Sequence, residues 1–183
     1  KYNTITLMSK KIVITGGLGY IGTELSKIYS GISWNNEILV IDRRFISERV
    51  NQLRIWGIDY VHGDILDKET VNKYFKDADI IHHLAGITDV PRVKSESTIE
   101  RDSEIKLVGE KGTQNILDSM NDKCKIIFPS THVVYEGIEK VKNNIFEDEK
   151  TKPILSYASS KAINEQQLKN SGKNYIILRL GSV

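Results

Sequence analysis

The sequence has only one cysteine, no long apolar run and no large excess of charge of one sign. Its lone Cys124 excludes an internal disulfide and is typical of a reducing compartment, so we expect a cytoplasmic protein. No segment approaches the roughly 18 consecutive apolar residues that a membrane-spanning helix needs. The 26 basic residues nearly balance the 24 acidic ones and are scattered along the chain. We therefore expect neither nucleic acid nor a membrane as a partner, and a small molecule fits better.

Length and composition predict one domain. Residues 1–10 lack the long apolar core of a signal peptide. Met8 is a candidate for the native start, so we interpret residues 1–10 as a leader or as residues added for expression. Residues 11–183 are expected to form a single domain, because a chain of this length buries roughly 70% of its unfolded surface without the help of disulfides or metal ions.

Short apolar segments alternate with helical periodicity along the chain. Six segments rich in isoleucine and valine predict buried strands, at residues 12–15, 38–41, 58–61, 79–84, 125–128 and 175–180. Between them, apolar residues recur at helical spacing, as in Ile21, Leu25 and Ile28. Strands that alternate with helices pair in parallel through right-handed crossovers. The predicted fold class is therefore α/β, a doubly wound parallel sheet in three layers.

Residues 15–22, TGGLGYIG, follow directly on the first predicted strand. Glycine lets the backbone turn sharply off the strand and approach a diphosphate, while the free N–H groups of the next helix face the anion. The spacing fits Gly16, Gly19 and Gly22, or Gly17, Gly19 and Gly22. The stretch predicts a phosphate ligand, with an ordinary glycine turn as the alternative.

Asp42 follows the second predicted strand, twenty residues after Gly22. A carboxylate at this place can accept hydrogen bonds from both hydroxyls of an adenosine ribose. A helix cap or turn aspartate is the alternative. Arg43 and Arg44 could hold a 2′-phosphate, which Asp42 would repel. The sequence thus favours NAD over NADP.

Tyr157 and Lys161 lie four residues apart, hence on one face of a helix. An ammonium beside a phenol can stabilise the phenolate and lower its pKa from about 10, which makes a proton-transfer group. Chance occurrence on a solvated helix is the alternative. Ser130 and Thr131, at the end of the fifth predicted strand, strengthen the functional interpretation.

Several motifs, taken in order, resemble those of the extended short-chain dehydrogenase/reductases, in particular the NAD-dependent nucleotide-sugar epimerase/dehydratase branch. The similarity runs from about Lys11 to Val183. The matching stretches are TGGLGYIG (15–22), Asp42, GDILD (63–67), HHLAG (82–86), GTQNIL (112–117), STHVVYEG (130–137) and the pair Tyr157/Lys161. The resemblance implies a Rossmann fold that binds NAD.

The resemblance also implies roles for individual residues. Tyr157 is expected to be the acid/base, Lys161 to hold the nicotinamide ribose as well, and Thr131 to hydrogen-bond the reacting oxygen. Asp64 and Ile65 are expected near the adenine, with Ala85 and Gly86 beside the middle of the cofactor. The full expected cofactor set is Gly16, Gly19, Tyr20, Ile21, Gly22, Asp42, Asp64, Ile65, Leu84, Ala85, Gly86, Tyr157 and Lys161. No metal site is expected, since His82 and His83 lack partners at ligand spacing.

Departures from the family pattern narrow the reaction. His132 and Val133 stand where the family's 4,6-dehydratases carry an Asp-Glu pair, which argues against water elimination. Thr88 replaces a lysine of some galactose epimerases, and Gly109 replaces the asparagine usually found before the motif's Gly-Thr.

The function that the resemblance implies is an NAD-dependent nucleotide-sugar epimerase of the UDP-sugar 4-epimerase type, acting through a keto-sugar. A dehydrogenase or reductase with net redox turnover, and a non-catalytic NAD-binding module, remain alternatives. The expected substrate is a nucleotide sugar, UDP-linked. A homodimer is expected through the helix that carries Tyr157 and the helix before it. The sugar-selecting C-terminal domain of the family is expected to be absent from residues 11–183.

Overall fold

The computed structural model describes residues 9–32, 35–88, 97–139 and 143–181. The predicted leader therefore lies almost wholly outside the described residues. The strands are β1 (Lys11–Thr15), β2 (Glu37–Asp42), β3 (Asp59–His62), β4 (Ile80–His83), β5 (Lys125–Thr131) and β6 (Asn174–Leu180). The helices are α1 (Tyr20–Ile32), α2 (Ser47–Ile55), α3 (Lys68–Phe75), α4 (Ile99–Lys106), α5 (Gly112–Ser119) and α6 (Ser156–Asn170).

The described strands form one sheet in the order β3-β2-β1-β4-β5-β6, and each pairing is parallel. Successive residues of a strand face opposite sides of a sheet. Accordingly Ile12 and Ile14 pack in one buried cluster with residues of α2, whereas Val13 packs in a second cluster with residues of α3 and α5. The sheet is thus covered on both faces around β1, and the predicted three-layer, doubly wound fold is confirmed. The prediction that all six strands are buried was wrong for β6, whose residues are exposed or half-buried, because it lies at the end of the described sheet order.

Helix α1 packs against the sheet through small residues. The predicted apolar spacing is present, but Ile28 is 57% exposed, whereas Gly22 and Ser26 are buried. A Cβ at Gly22 would lie 2.5 Å from the Cα of Gly17. The helix approaches the glycine turn so closely that only glycine fits at position 22, whereas Leu25 and Tyr29, farther along, pack half-buried against the core.

A π-helical turn, Leu107–Lys111, joins α4 to α5. A Cβ at Gly109 would lie 2.3 Å from the Ser160 hydroxyl, so glycine allows α6 to pack closely here. Asn164 donates to the Gly109 carbonyl at 3.1 Å, and Gln167 donates to the Glu110 carbonyl at 2.9 Å. These amides satisfy carbonyls in a turn whose hydrogen-bond pattern departs from that of an α-helix. Gly109 therefore has a packing role in place of the family's asparagine.

Cys124 is expected to be chemically inert in the folded protein. Its side chain is fully buried, and burial, assisted by the charge of Asp79, raises the pKa of the thiol to about 12. Because only the thiolate attacks disulfides, we expect Ellman's reagent at pH 8 to react at least about a hundredfold faster in urea than in native buffer. Comparable rates in the two solutions would show that the thiol is accessible.

Candidate functional site

A cleft of about 730 Å³ opens at the carboxyl ends of the strands. In doubly wound sheets, ligands bind where the strand order reverses, which here lies between β1 and β4. The cleft lies within the size range of cofactor sites, roughly 300–1,000 Å³. All sequence-predicted site residues line it: Gly16, Gly19, Tyr20, Ile21, Gly22, Asp42, Asp64, Ile65, Leu84, Ala85, Gly86, Thr131, Tyr157 and Lys161.

The glycine turn places the start of α1 at the cleft. Gly16 has φ +64°, and a Cβ there would lie 2.8 Å from the backbone of Ala85, so the turn requires glycine. Gly19 donates its N–H to the Gly16 carbonyl at 3.0 Å, and α1 begins at Tyr20. Gly17 does not line the cleft, because it packs against Val40. Backbone rather than side chain therefore forms this wall, which leaves room for a diphosphate.

The motif residues of α5 hold the loop after β3. Asn115 is buried and donates to the carbonyls of Ile65, at 3.0 Å, and Leu66, at 3.3 Å. Asp64 accepts a hydrogen bond from Leu66 N at 2.9 Å. A Cβ at Gly112 would lie 2.3 Å from the Ile65 side chain. The stretch GTQNIL thus positions Asp64 and Ile65 on the cleft wall without reaching the cleft itself.

A buried histidine ties the β4 end to β1 and α5. Ala85 N donates to the Thr15 hydroxyl at 3.0 Å, which lies 3.0 Å from His83 Nδ1. His83 Nε2 lies 2.9 Å from the Thr113 hydroxyl. Both ring nitrogens of His83 thus have a hydroxyl partner, and a hydroxyl can donate or accept. Burial, and then the charge of Lys161, lower the pKa of His83 to about 3, so the imidazole is neutral.

Replacing His83 by glutamine is expected to flatten the acid side of the stability curve. The folded pKa is about 3 against an ordinary value of 6.5, so the unfolded chain binds one proton more between these values. Stability is therefore lost as the pH falls from 6.5 towards 3. The variant should lack about 1.4 kcal/mol per pH unit of this slope, measured by urea unfolding at several pH values.

The matched control is the same replacement at His62, which is exposed at the end of β3. Because slopes rather than absolute stabilities are compared, any loss of packing in the His83→Gln variant does not affect the result. An unchanged slope in that variant would contradict the assignment of a neutral, buried His83.

Tyr157, Lys161 and Thr131 all line the cleft. Lys161 Nζ donates to the Pro129 carbonyl at 2.9 Å and lies 5.9 Å from the centre of the Tyr157 ring. It also lies 4.4 Å over the ring of Phe128. Burial lowers the pKa of Lys161 to about 8 and raises the pKa of the Tyr157 phenol. The fold thus brings the three residues to one cleft, but it does not show the lowered phenol pKa that the spacing predicts.

Some residues of the cleft wall were not predicted from the sequence. Arg49 reaches it from α2 and Arg101 from α4, and Pro129 supplies the carbonyl for Lys161. Thr88 lines the cleft, whereas the described side chain of His132 lies outside it, 3.2 Å from the Leu180 carbonyl. Arg49, Arg101 and Pro129 belong to none of the sequence motifs, and only the fold brings them to the cleft.

Within the described ranges, no cluster of three or more histidine, cysteine, aspartate or glutamate side chains could hold a metal ion. Nor does that part of the chain contain a helix long and apolar enough to cross a membrane.

Comparison with known proteins gives one family. A model of the 3-beta hydroxysteroid dehydrogenase/isomerase family matches residues 13–178. The CDP-paratose 2-epimerase of Salmonella typhi is 31% identical over 145 residues, which cover 73% of this chain and 40% of that protein. The dTDP-D-glucose 4,6-dehydratase of Dictyostelium discoideum is 30% identical over 190 residues, covering 94% of this chain and 43% of that protein. The chain thus spans less than half the length of these relatives.

A solved structure with the same fold contains both a cofactor and a substrate analogue. It is a mutant of the UDP-glucuronic acid 4-epimerase of Bacillus cereus, in complex with UDP-4-deoxy-4-fluoro-glucuronic acid and NAD. The two chains are 25% identical, with a TM-score of 0.79, over 92% of this chain and 55% of the other.

Proposed function

Because the chain belongs to the 3-beta hydroxysteroid dehydrogenase/isomerase family, within the extended short-chain dehydrogenase/reductases, we propose that it forms the NAD-binding part of a nucleotide-sugar epimerase of the UDP-sugar 4-epimerase type. One observation carries the proposal: the glycine turn, the adenosine-end residues and the Tyr157, Lys161 and Thr131 group line a single cleft. The family match and the relatives confirm the resemblance of the sequence motifs to this family.

The residues present fit an extended dinucleotide. The backbone of Gly16 to Gly22 and the first turn of α1 would hold the diphosphate. Asp64 and Ile65, held by Asn115, would lie beside the adenine. Leu84, Ala85 and Gly86 would contact the middle of the cofactor, and Tyr157 and Lys161 its nicotinamide end.

Chemistry would occur at the end of the cleft that holds Tyr157. When bound, NAD supplies a hydride acceptor that can also return the hydride to either face of the resulting ketone. Tyr157 would take the proton from the sugar hydroxyl and give it back, which requires its phenol oxygen within hydrogen-bond reach of that hydroxyl. The Thr131 hydroxyl would donate to the charge that develops on the reacting oxygen. Lys161 would stabilise the tyrosinate and hold the ribose.

The complete gene product, incubated with UDP-, GDP- and CDP-sugars and NAD, tests this function. Sugar configuration is followed by NMR and NADH by its absorbance. We expect a new epimer of a UDP-sugar without net NADH. Steady NADH accumulation would instead assign a dehydrogenase, and tight NAD binding without conversion of any of these sugars would favour a non-catalytic NAD-binding module.

We further propose a homodimer through α4, the adjoining π-helical turn and α6. Leu107 in that turn and Ile163 on α6 are 51% and 40% exposed, and exposed apolar side chains of this kind support an interface. Sedimentation equilibrium of the complete gene product tests it, and a monomer at all accessible concentrations would reject it.

A further inference from the structure

The adenosine end of the cleft presents arginine rather than a free carboxylate. The Asp42 side chain is only 3% exposed, whereas that of Arg44 is 53% exposed, and both residues line the cleft. Arg44 Nη2 lies 3.8 Å from the position that a Cβ of Gly19 would occupy. The guanidinium therefore lies over Asp42, beside the glycine turn, where a ligand would enter.

The carboxylate of Asp42 already has its acceptors in use. Its Oδ1 accepts from Arg44 N at 2.9 Å and Arg44 Nε at 3.2 Å. Its Oδ2 accepts from Leu18 N at 3.0 Å and Arg44 Nη2 at 3.1 Å. An ionised carboxylate offers about four lone-pair sites, so a ribose hydroxyl could use Asp42 only by displacing Arg44.

Arginines outnumber carboxylates among the residues that line this end of the cleft. Arg43, Arg44 and Arg49 line this end of the cleft, together with Asp42 and, farther along the wall, Asp64. Arg49 donates to the Leu18 carbonyl, and Arg43 forms an ion pair with Glu104 at 3.3 Å. Repulsion between Asp42 and an anion is the reason why the sequence favours NAD over NADP. The ion pair of Asp42 with Arg44 offsets this repulsion.

We propose that Arg44 allows this subsite to accept a ribose 2′-phosphate, so that the cleft binds NADP as well as NAD. The inference rests on the proposed dinucleotide function. Arg44 directs Nε and Nη2 to Asp42, which leaves Nη1 for the phosphate oxygens. A guanidinium can hydrogen-bond a carboxylate and a phosphate at the same time because its five N–H donors spread over one plane.

Isothermal titration with NAD and NADP, at one salt concentration, tests the proposal on four forms of the complete gene product: unsubstituted, Arg44→Ala, Arg44→Lys and Arg54→Ala. Arg54, on α2, is exposed and does not line the cleft, so its variant controls for lost net charge. We expect NADP to bind the unsubstituted chain within tenfold of NAD. Arg44→Ala should weaken NADP at least tenfold and NAD less than threefold.

Arg44→Lys keeps the charge without the planar donor group, so its loss of NADP affinity should be intermediate, and it provides a second variant if Arg44→Ala folds poorly. Phosphorus NMR of 2′,5′-ADP gives a direct readout. The 2′-phosphate of this ligand is a monoester with a pKa of about 6. This pKa should fall when the ligand binds the unsubstituted protein and stay unchanged with Arg44→Ala.

The outcomes separate this proposal from the function on which it rests. The role of Arg44 is overturned if NADP binds the unsubstituted protein more than tenfold more weakly than NAD does. It is also overturned if Arg44→Ala loses the same affinity for both cofactors. Neither result contradicts the proposal that the cleft binds NAD. No binding of NAD, NADP or 2′,5′-ADP overturns the dinucleotide function itself.

Discussion

Tyr157→Phe is expected to reduce turnover of the complete gene product by a factor of about 10²–10⁴, the usual contribution of a positioned acid/base. The substitution removes one hydroxyl and keeps the ring that packs beside Lys161. Folding and cofactor affinity should therefore change little. The effect should appear in kcat rather than in KM, because proton transfer contributes to the transition state and little to substrate binding.

Tyr175→Phe is the matched control for this prediction. Tyr175 lies on β6, is 38% exposed and does not line the cleft, so loss of its hydroxyl should leave turnover unchanged. Initial rates with the converted sugar, together with NAD titration, decide the matter. A Tyr157→Phe variant with unimpaired kcat would assign the acid/base role to another group.

Glu165→Ala is expected to destabilise the protein by about 3–5 kcal/mol, the cost of leaving a buried charge without its partner. Glu165 is 1% exposed and accepts from Arg179 Nε at 2.9 Å and Nη2 at 2.6 Å. Ser130, whose hydroxyl donates to Glu165 at 2.7 Å, lines the cleft. Loss of the carboxylate would remove the charged partner of Arg179, which would keep hydrogen bonds to Tyr135 and to the Glu147 carbonyl, and would free the Ser130 side chain beside the site.

The pKa of Glu165 reflects this balance. Burial by itself would raise it, but the hydrogen bonds from Arg179 and Ser130 outweigh burial and hold the pKa below its ordinary value. The folded state therefore favours the ionised form, and the stability that this pair contributes is lost as the pH falls through the lowered pKa.

Urea unfolding at pH 7 measures the loss, and two variants control it. Glu139→Ala removes an exposed ion pair with Lys152, at 2.9 Å, and should cost less than about 1 kcal/mol. The double variant Glu165→Leu, Arg179→Met should recover much of the stability, because apolar side chains can replace a buried ion pair. Equal losses for Glu165→Ala and Glu139→Ala would contradict a buried, hydrogen-bonded pair.

Local patterns predicted the strands and the place of the site well. The segment 38–41 falls within β2, which is buried, because strands buried on both faces are continuous apolar runs. The segment 175–180 falls within β6, but its predicted burial was wrong, since this strand lies at the end of the described sheet order. The glycine turn was equally clear, since a positive φ at Gly16 leaves few residue types that fit.

Side-chain partners were less predictable. The spacing of Tyr157 and Lys161 predicted their common helix face, but not that Lys161 would donate to Pro129, 32 residues earlier in the chain. The periodicity of α1 predicted a helix but not the exposure of Ile28, because the depth at which a helix packs depends on the sheet beneath it.

The sequence by itself determined the order of strands and helices, the parallel sheet, and the edge at which glycine and hydroxyl side chains collect. These follow from short-range rules: period, turn chemistry and the handedness of crossovers. Only the tertiary structure decided that Arg44 covers Asp42, that His83 is neutral among Thr15, Thr113 and Ala85, and that Glu165 joins Ser130 to Arg179. Each of these depends on distances and burial that packing sets between elements, and no local pattern encodes them.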